Sequence, residues 1–152
     1  MAKLIPLISI VIVISLNNKL LSSQVALNAE IINAAKEGNL EKIKKLLSMG
    51  ANINAQNFRG ATPLIFAVSN GKYEIVKFLL ENNASVNVKT YDGFTVLMIA
   101  AYFGNTKIVD LLISKGADIF ARNNKNQTAL SIAEAQGHYE VVRQIKKYIN
   151  RQ

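Results

Sequence analysis

The sequence predicts an all-α repeat protein, a solenoid of about four stacked helix-turn-helix repeats with short hairpin tips. Three series of residues recur every 33 positions and share one phase along the chain. They are the glycines Gly38, Gly71, Gly104 and Gly137, the alanines Ala34, Ala67, Ala100 and Ala133, and the aliphatic residues Leu46, Leu79, Leu112 and Ile145. A fixed period of this length is typical of units that bury their apolar faces by stacking on one another.

Each repeat predicts a pair of short helices joined by a turn glycine, whose conformational freedom allows the tight turn. The first helix follows a threonine that can cap its N-terminus with a side-chain oxygen. These threonines are Thr62, Thr95 and Thr128. Pro63 occupies a first helical position, where its missing N–H costs nothing. The second helix carries aliphatic residues at helical spacing, for example Ile75, Val76, Leu79 and Leu80.

The hairpin tips are predicted just before the capping threonines. Gly60 and Gly93 stand two residues before a threonine, where a hairpin-like turn needs a positive φ. Asn126 takes this place in the last repeat, and asparagine tolerates that conformation better than most residues.

The residues within one period resemble the ankyrin repeat. Residues 60–67 read G-A-T-P-L-I-F-A, Gly71 follows, and residues 75–80 read I-V-K-F-L-L. The family pattern runs G-x-T-P-L-H-x-A-A, then G, then V-x-x-L-L and G-A-x-x-N. The resemblance covers residues 27–152, and it divides them into repeats at about 27–55, 56–88, 89–121 and 122–152.

Three departures from the family pattern carry expectations of their own. The family histidine after T-P-L is replaced by Ile65, Met98 and Ser131, so we expect the loss of a turn-stabilising hydrogen bond. The first repeat lacks Gly-x-Thr-Pro and is interpreted as an N-terminal cap without a full hairpin. The last repeat places Lys146 where the others carry an aliphatic residue, which predicts a polar C-terminal cap.

Residues 1–26 form a segment of a different kind. Lys3 precedes an apolar run over residues 4–16, and Asn17, Asn18 and Lys19 then interrupt it. Thirteen residues fall short of the roughly 20 that span a bilayer. The pattern predicts a secretory signal peptide, a mature terminus between Ser22 and Ala29, and an exported protein, secreted or periplasmic. The alternative is an uncleaved membrane anchor.

Composition favours a protein without catalysis. The chain has no cysteine, and His138 is its only histidine, so neither a thiolate site nor a histidine metal pair can form. We expect His138 to be structural and expect no enzyme activity, cofactor or metal. The net charge of +8 is dispersed along the chain and no nucleic-acid-binding motif accompanies it, so we expect no nucleic-acid partner.

The resemblance implies a partner-binding face formed by the hairpin tips and the inner side of each first helix. The candidate binding residues are Phe58, Arg59, Tyr91, Asp92, Phe94, Tyr102, Phe103 and Lys125. We expect the four aromatic residues of the third repeat to form one partly exposed patch, with Phe58 and Arg59 at its edge. Aromatic residues and arginine dominate interface hot spots.

The functional expectation is a non-catalytic module that binds a partner protein through its concave face. The alternative is an inhibitor or regulatory subunit of one enzyme, which would use the same face. Basic residues near the aromatic positions favour a partner with acidic and apolar surface. A membrane is expected as a partner only if the N-terminal segment stays uncleaved.

Overall fold

The computed structural model describes the backbone of residues 4–151 and the side chains of residues 8–151. Within this part of the chain, eight helices form and no extended strand does. They are α1 (Leu4–Glu37), α2 (Leu40–Ser48), α3 (Pro63–Ser69), α4 (Tyr73–Glu81), α5 (Val96–Tyr102), α6 (Thr106–Ser114), α7 (Ala129–Gln136) and α8 (Tyr139–Ile149).

The helices pair into four repeats, as the sequence predicts. Each odd-numbered helix packs against the even-numbered helix that follows it. The odd-numbered helices also pack on one another in the order α1, α3, α5, α7 and make an inner row, while α4, α6 and α8 stack as an outer row. The predicted all-α solenoid is therefore confirmed.

Local signals set the helix ends. The threonine before α3, α5 and α7 accepts a hydrogen bond from the main-chain N–H three residues on, at 3.2 to 3.4 Å. This contact satisfies an N–H that has no partner inside the helix. In the last repeat Ser131 adds a bond, because its Oγ accepts from Thr128 N at 2.9 Å. The expected loss of a turn bond is thus wrong for Ser131, whose hydroxyl can accept where Ile65 and Met98 cannot.

The core follows the 33-residue register. Leu79, Leu112 and Ile145 are fully buried between the two helix rows, and Leu46 is nearly so. The alanines at Ala34 and its equivalents are also fully buried, where their small side chains let neighbouring helices approach closely. The apolar set that repeats in the sequence is therefore the set that packs.

Hairpin tips project from the inner row and join to one another through the main chain. Gly60, Gly93 and Asn126 have φ of 75°, 80° and 62°, as the turn signals predict. Tyr91 N donates to Arg59 O at 3.0 Å, and Asn124 N donates to Asp92 O at 3.1 Å. These bonds tie the tips of successive repeats into one row.

The first helix crosses the predicted boundary between residues 26 and 27 without a break. Its C-terminal part supplies the inner helix of the first repeat, where Ile31, Ile32, Ala34 and Ala35 are buried. Its N-terminal part carries the apolar run, and the side chains of residues 8–21 are exposed. One helix therefore contains both the segment predicted as a signal and the start of the solenoid.

The last repeat is polar on its outer face, as predicted. Lys146 is exposed and its Nζ lies 3.0 Å from Glu134 Oε1, so the charge that replaces an aliphatic residue stays at the surface. A polar outer face of this kind is typical of a terminal repeat, because it keeps the uncovered side of a solenoid soluble.

Candidate functional site

A groove of about 450 Å³ opens between the inner row of helices and the hairpin tips. Its floor is made by Lys36 of α1, Phe66 of α3 and Ile99 of α5, one residue from each of three neighbouring helices of the inner row. Its opposite wall is made by Phe58, Arg59, Ala61, Thr90, Asp92 and Phe94 of the first two hairpins. We call this depression the groove.

Buried or partly buried polar side chains hold the tips that carry the wall. Asn57 Oδ1 accepts hydrogen bonds from Arg59 N at 2.9 Å and Ala61 N at 3.0 Å. In the next hairpin, Thr90 Oγ1 accepts from Phe94 N at 3.1 Å. Local side-chain bonds of this kind fix turns without a long ladder of strand pairs. The wall is therefore preorganised, since its main chain is already bonded.

Two cations of the groove lie on phenylalanine rings. Lys36 Nζ is 4.6 Å from the centroid of Phe66, and Arg59 Cζ is 5.4 Å from that of Phe58. Among the described side chains, neither cation has a carboxylate within ion-pairing distance. The groove therefore combines apolar ring surface with positive charge that no ion pair neutralises, while Asp92 contributes one negative charge on the wall.

A second depression of about 420 Å³ adjoins the groove on the side of α1. It shares Lys36, Asn57 and Phe58 with the groove and extends along α1 to Val25. Phe58 is 82% exposed and stands between the two depressions. The apolar and basic surface thus extends onto the first repeat, whereas the predicted binding face begins at Phe58 in the second repeat.

The structure brings together four of the eight candidate residues. Phe58, Arg59, Asp92 and Phe94 line the groove, and Phe94 also packs against the core. Tyr102 and Phe103 lie instead at the end of α5, where their rings meet edge to face at 5.1 Å. Both are about half exposed.

The other two candidates lie on the hairpin tips. Tyr91 is exposed and its ring stands over Gly60, where an added Cβ would come within 2.9 Å of it. Lys125 is exposed on the third tip, and its main-chain N donates to Asn123 Oδ1 at 2.9 Å. The expected aromatic patch is therefore distributed over a groove, a tip and a helix end.

Sequence reasoning missed three residues of the floor, Lys36, Phe66 and Ile99. The signal that could have found two of them is the 33-residue register, because Phe66 and Ile99 occupy one position of the inner helices. Lys36 shares its register with Ser69 and Tyr102, so the row that contains Tyr102 begins with a lysine beside the groove.

The family follows from this architecture together with a comparison of the sequence. A family model described as ankyrin repeats (3 copies) matches residues 31–123 and again residues 89–152. The two matches together include every helix except the N-terminal part of α1. The chain belongs to the ankyrin-repeat family. No curated protein matches the sequence.

Ankyrin repeats are generally protein–protein interaction modules and are typically non-catalytic. In this ankyrin-repeat protein, His138 has a contact within the stack, since its Nε2 lies 2.9 Å from Tyr102 O. No three acidic or histidine side chains gather as a metal site in the part of the chain that the structure describes.

Proposed function

We propose that this ankyrin-repeat protein is a non-catalytic module that binds a partner protein in the groove. The observation that carries the proposal is the pairing of Lys36 with Phe66 and of Arg59 with Phe58. Each pair offers ring surface for an apolar side chain and a cation for a carboxylate beside it. The partner is therefore expected to present apolar and acidic side chains next to each other.

Burial and charge support this choice of partner. The apolar surfaces of Phe58, Phe66 and Phe94 face a common space, and removing such surface from water stabilises a complex by about 25 cal/mol per Å². Arg59 and Lys36 add attraction for an acidic segment, which raises the association rate and selects against basic partners. Asp92 provides an acceptor on the same wall for a main-chain N–H or hydroxyl of the partner.

Binding through the groove is tested by capture from the native source with the full chain, tagged at its C-terminus. Wild type is compared with Phe58→Ala and Arg59→Glu, and Lys45→Glu on the outer helix α2 is the matched control. Phe58 and Arg59 are exposed, so these changes leave the fold intact. We expect a partner that the control retains and both groove variants lose.

The size of the effect follows from interface energetics. Phe58→Ala should weaken binding by about 2 kcal/mol if the ring is a hot spot. Tyr102→Ala and Tyr91→Ala then measure how far the interface extends along the inner row and the tips. If Phe58→Ala and Arg59→Glu both bind the captured partner as the wild type does, the groove is not the binding site.

The alternative is that the protein inhibits or regulates one enzyme through the same face. The identity of the captured material separates the two functions. One enzyme at a fixed ratio, with activity that falls on addition of the wild type and not of Arg59→Glu, favours inhibition. Several unrelated proteins that share an acidic and apolar segment favour an adaptor.

The N-terminal part of α1 supports association of the protein with a membrane, either during export or through an anchor. The stretch Ile8–Glu37 contains a window of mean hydropathy 1.5 that is long and apolar enough to cross a bilayer. A signal peptide and an anchor would both use this helix, and they differ in the N-terminus of the mature protein. The sequence alone favoured export with cleavage of residues 1–26, which nothing in the structure tests, and intact mass measurement of the native protein decides between cleavage and an anchor.

A further inference from the structure

Residues 10–14 of α1 are apolar around the whole circumference of the helix and exposed on every side. Ile10, Val11, Ile12, Val13 and Ile14 each leave more than half of their side-chain surface uncovered. Five consecutive residues complete more than one turn, so none of the described side chains, residues 8–151, buries any face of this stretch. A helix that is apolar all round is typical of a protein core or of a membrane span.

The next turns of α1 form the N-terminal cap of the solenoid. Gln24 Nε2 donates to Gly50 O at 3.0 Å, and Asn28 Oδ1 accepts from Asn52 N at 2.9 Å. Two repeats later the single side chain of Asn87 makes both equivalent contacts, to Gly116 O at 3.1 Å and from Asp118 N at 2.8 Å. Gln24 and Asn28 therefore replace the asparagine that a preceding hairpin would supply.

This cap restricts where the chain can be cut. Cleavage at any bond from residue 24 to residue 28 would remove Gln24, Val25 or Leu27 from the first repeat. Gln24 bonds to the turn after α2, Val25 lines the second depression, and Leu27 packs against the core. The sequence around residues 22–26 also lacks the small-x-small triplet that signal cleavage requires.

We infer that α1 is retained in the mature protein as a membrane anchor, with a lipid bilayer covering its apolar part. The apolar part extends from Leu4 to Leu21 when the helix is followed past Asn17, Asn18 and Lys19. These 18 residues are about 27 Å long at about 1.5 Å per residue, close to the roughly 30 Å of a hydrocarbon core. Lys19 lies within one turn of the end, where its side chain can reach the interface.

Because α1 is one continuous helix, the anchor also positions the binding surface. Val25 follows Leu21 by four residues, about 6 Å along the helix axis. The depression that adjoins the groove therefore begins at the membrane interface. This inference rests on α1 and its cap, and it does not depend on the proposed function of the groove.

The test uses the full chain with a C-terminal tag, expressed in cells that process signal peptides. The measurements are the intact mass and the resistance of the membrane-bound protein to alkaline carbonate extraction. The variant Val11→Arg/Ile14→Arg places charge in the middle of the apolar part. The matched control, Ser23→Arg, adds charge on the same helix outside that part and before the cap.

We expect the wild type and Ser23→Arg to keep the N-terminus and to resist extraction, and Val11→Arg/Ile14→Arg to lose the membrane-bound fraction. A soluble mature protein that starts at or after Ser22 would overturn the inference in favour of a cleaved signal. A soluble oligomer with an intact N-terminus would overturn it too, because a second copy of the chain would then cover the helix. Size-exclusion chromatography of the soluble fraction distinguishes these two outcomes.

Discussion

The imidazole of His138 lies with its Nε2 2.9 Å from the main-chain oxygen of Tyr102, one repeat away. The same ring covers Gly104, where an added Cβ would come within 2.6 Å of Nδ1. Lys72 covers Gly38 in the same way, and Asn105 lies 3.4 Å from the Cβ position of Gly71. The residue after each turn glycine thus packs on the glycine of the preceding repeat.

This packing predicts that substitution by alanine lowers stability by different amounts at two glycines that have the same backbone conformation. Gly104 and Gly137 have φ of 69° and 73°, but nothing lies within 4 Å of a Cβ at Gly137. Gly137→Ala should cost about 1–2 kcal/mol through backbone strain alone. Gly104→Ala should cost at least about 1 kcal/mol more, because the His138 ring must move. Denaturant unfolding measures both, and equal losses would contradict the packing on Gly104.

Leu79 tests the register of the core. Leu79 and Leu112 are both fully buried, as their shared position in the repeat predicts. Leu79→Ala should lower the free energy of unfolding by about 2–5 kcal/mol, since it removes a side chain that the stack encloses. The control is Met49→Ala at an exposed position, with an expected loss below about 0.5 kcal/mol. An unchanged thermal midpoint for Leu79→Ala in circular dichroism would show that the register is wrong.

The N-terminal cap predicts an unequal effect of two asparagines on α1. Asn28 accepts a bond from the turn after α2, whereas Asn33 is exposed and makes no side-chain hydrogen bond among the described residues. Asn28→Ala should lower the stability of the full chain by about 1 kcal/mol, and Asn33→Ala should not. Hydrogen exchange should show the loss first at the main-chain N–H of Asn52. If the N–H of Asn52 exchanged faster in Asn33→Ala but not in Asn28→Ala, the contact between Asn28 and Asn52 would not stabilise the first repeat.

The phenol of Tyr148, on helix α8 of the outer row, leads us to predict a loss of stability at alkaline pH. Tyr148 Oη donates to Asp110 Oδ1 at 2.9 Å. This bond, with smaller contributions from burial and from the charge of Asp110, raises the pKa of Tyr148 above its ordinary value of about 10, while Arg151 opposes the shift. Because the folded-state pKa is the higher one, the stabilisation is complete below about pH 10 and is lost as pH rises through the folded-state pKa.

Two substitutions test this contact. Tyr148→Phe should lower the free energy of unfolding by up to about 1 kcal/mol at neutral pH. It should also remove the part of the alkaline destabilisation that ionisation of Tyr148 causes. Asp110→Asn should bring the pKa of Tyr148 down towards its ordinary value, which ultraviolet titration of the phenols detects. Tyr139→Phe, on the same helix but without a hydroxyl contact among the described residues, is the control at neutral pH. A Tyr148 pKa that stays in place in Asp110→Asn would rule out the carboxylate as the cause.

The sequence by itself determined the repeat architecture of this protein. The capping threonines, the turn glycines and the buried series that includes Leu79 and Leu112 act within one repeat or between neighbours. Their roles depend on spacing along the chain, so the 33-residue period is enough to assign each of them. Asn126 could be placed in a positive-φ turn for the same reason, since that turn is a local choice of the backbone.

Only the tertiary structure decided how the surface is assembled. Lys36 and Arg59 belong to different repeats, and stacking brings them to one groove while it places Tyr91 over Gly60. The continuity of α1 was equally hidden, because Asn17, Asn18 and Lys19 interrupt the apolar pattern without ending the helix. Contacts between repeats depend on the rotation of each unit on the next, and no local pattern of residues encodes that rotation.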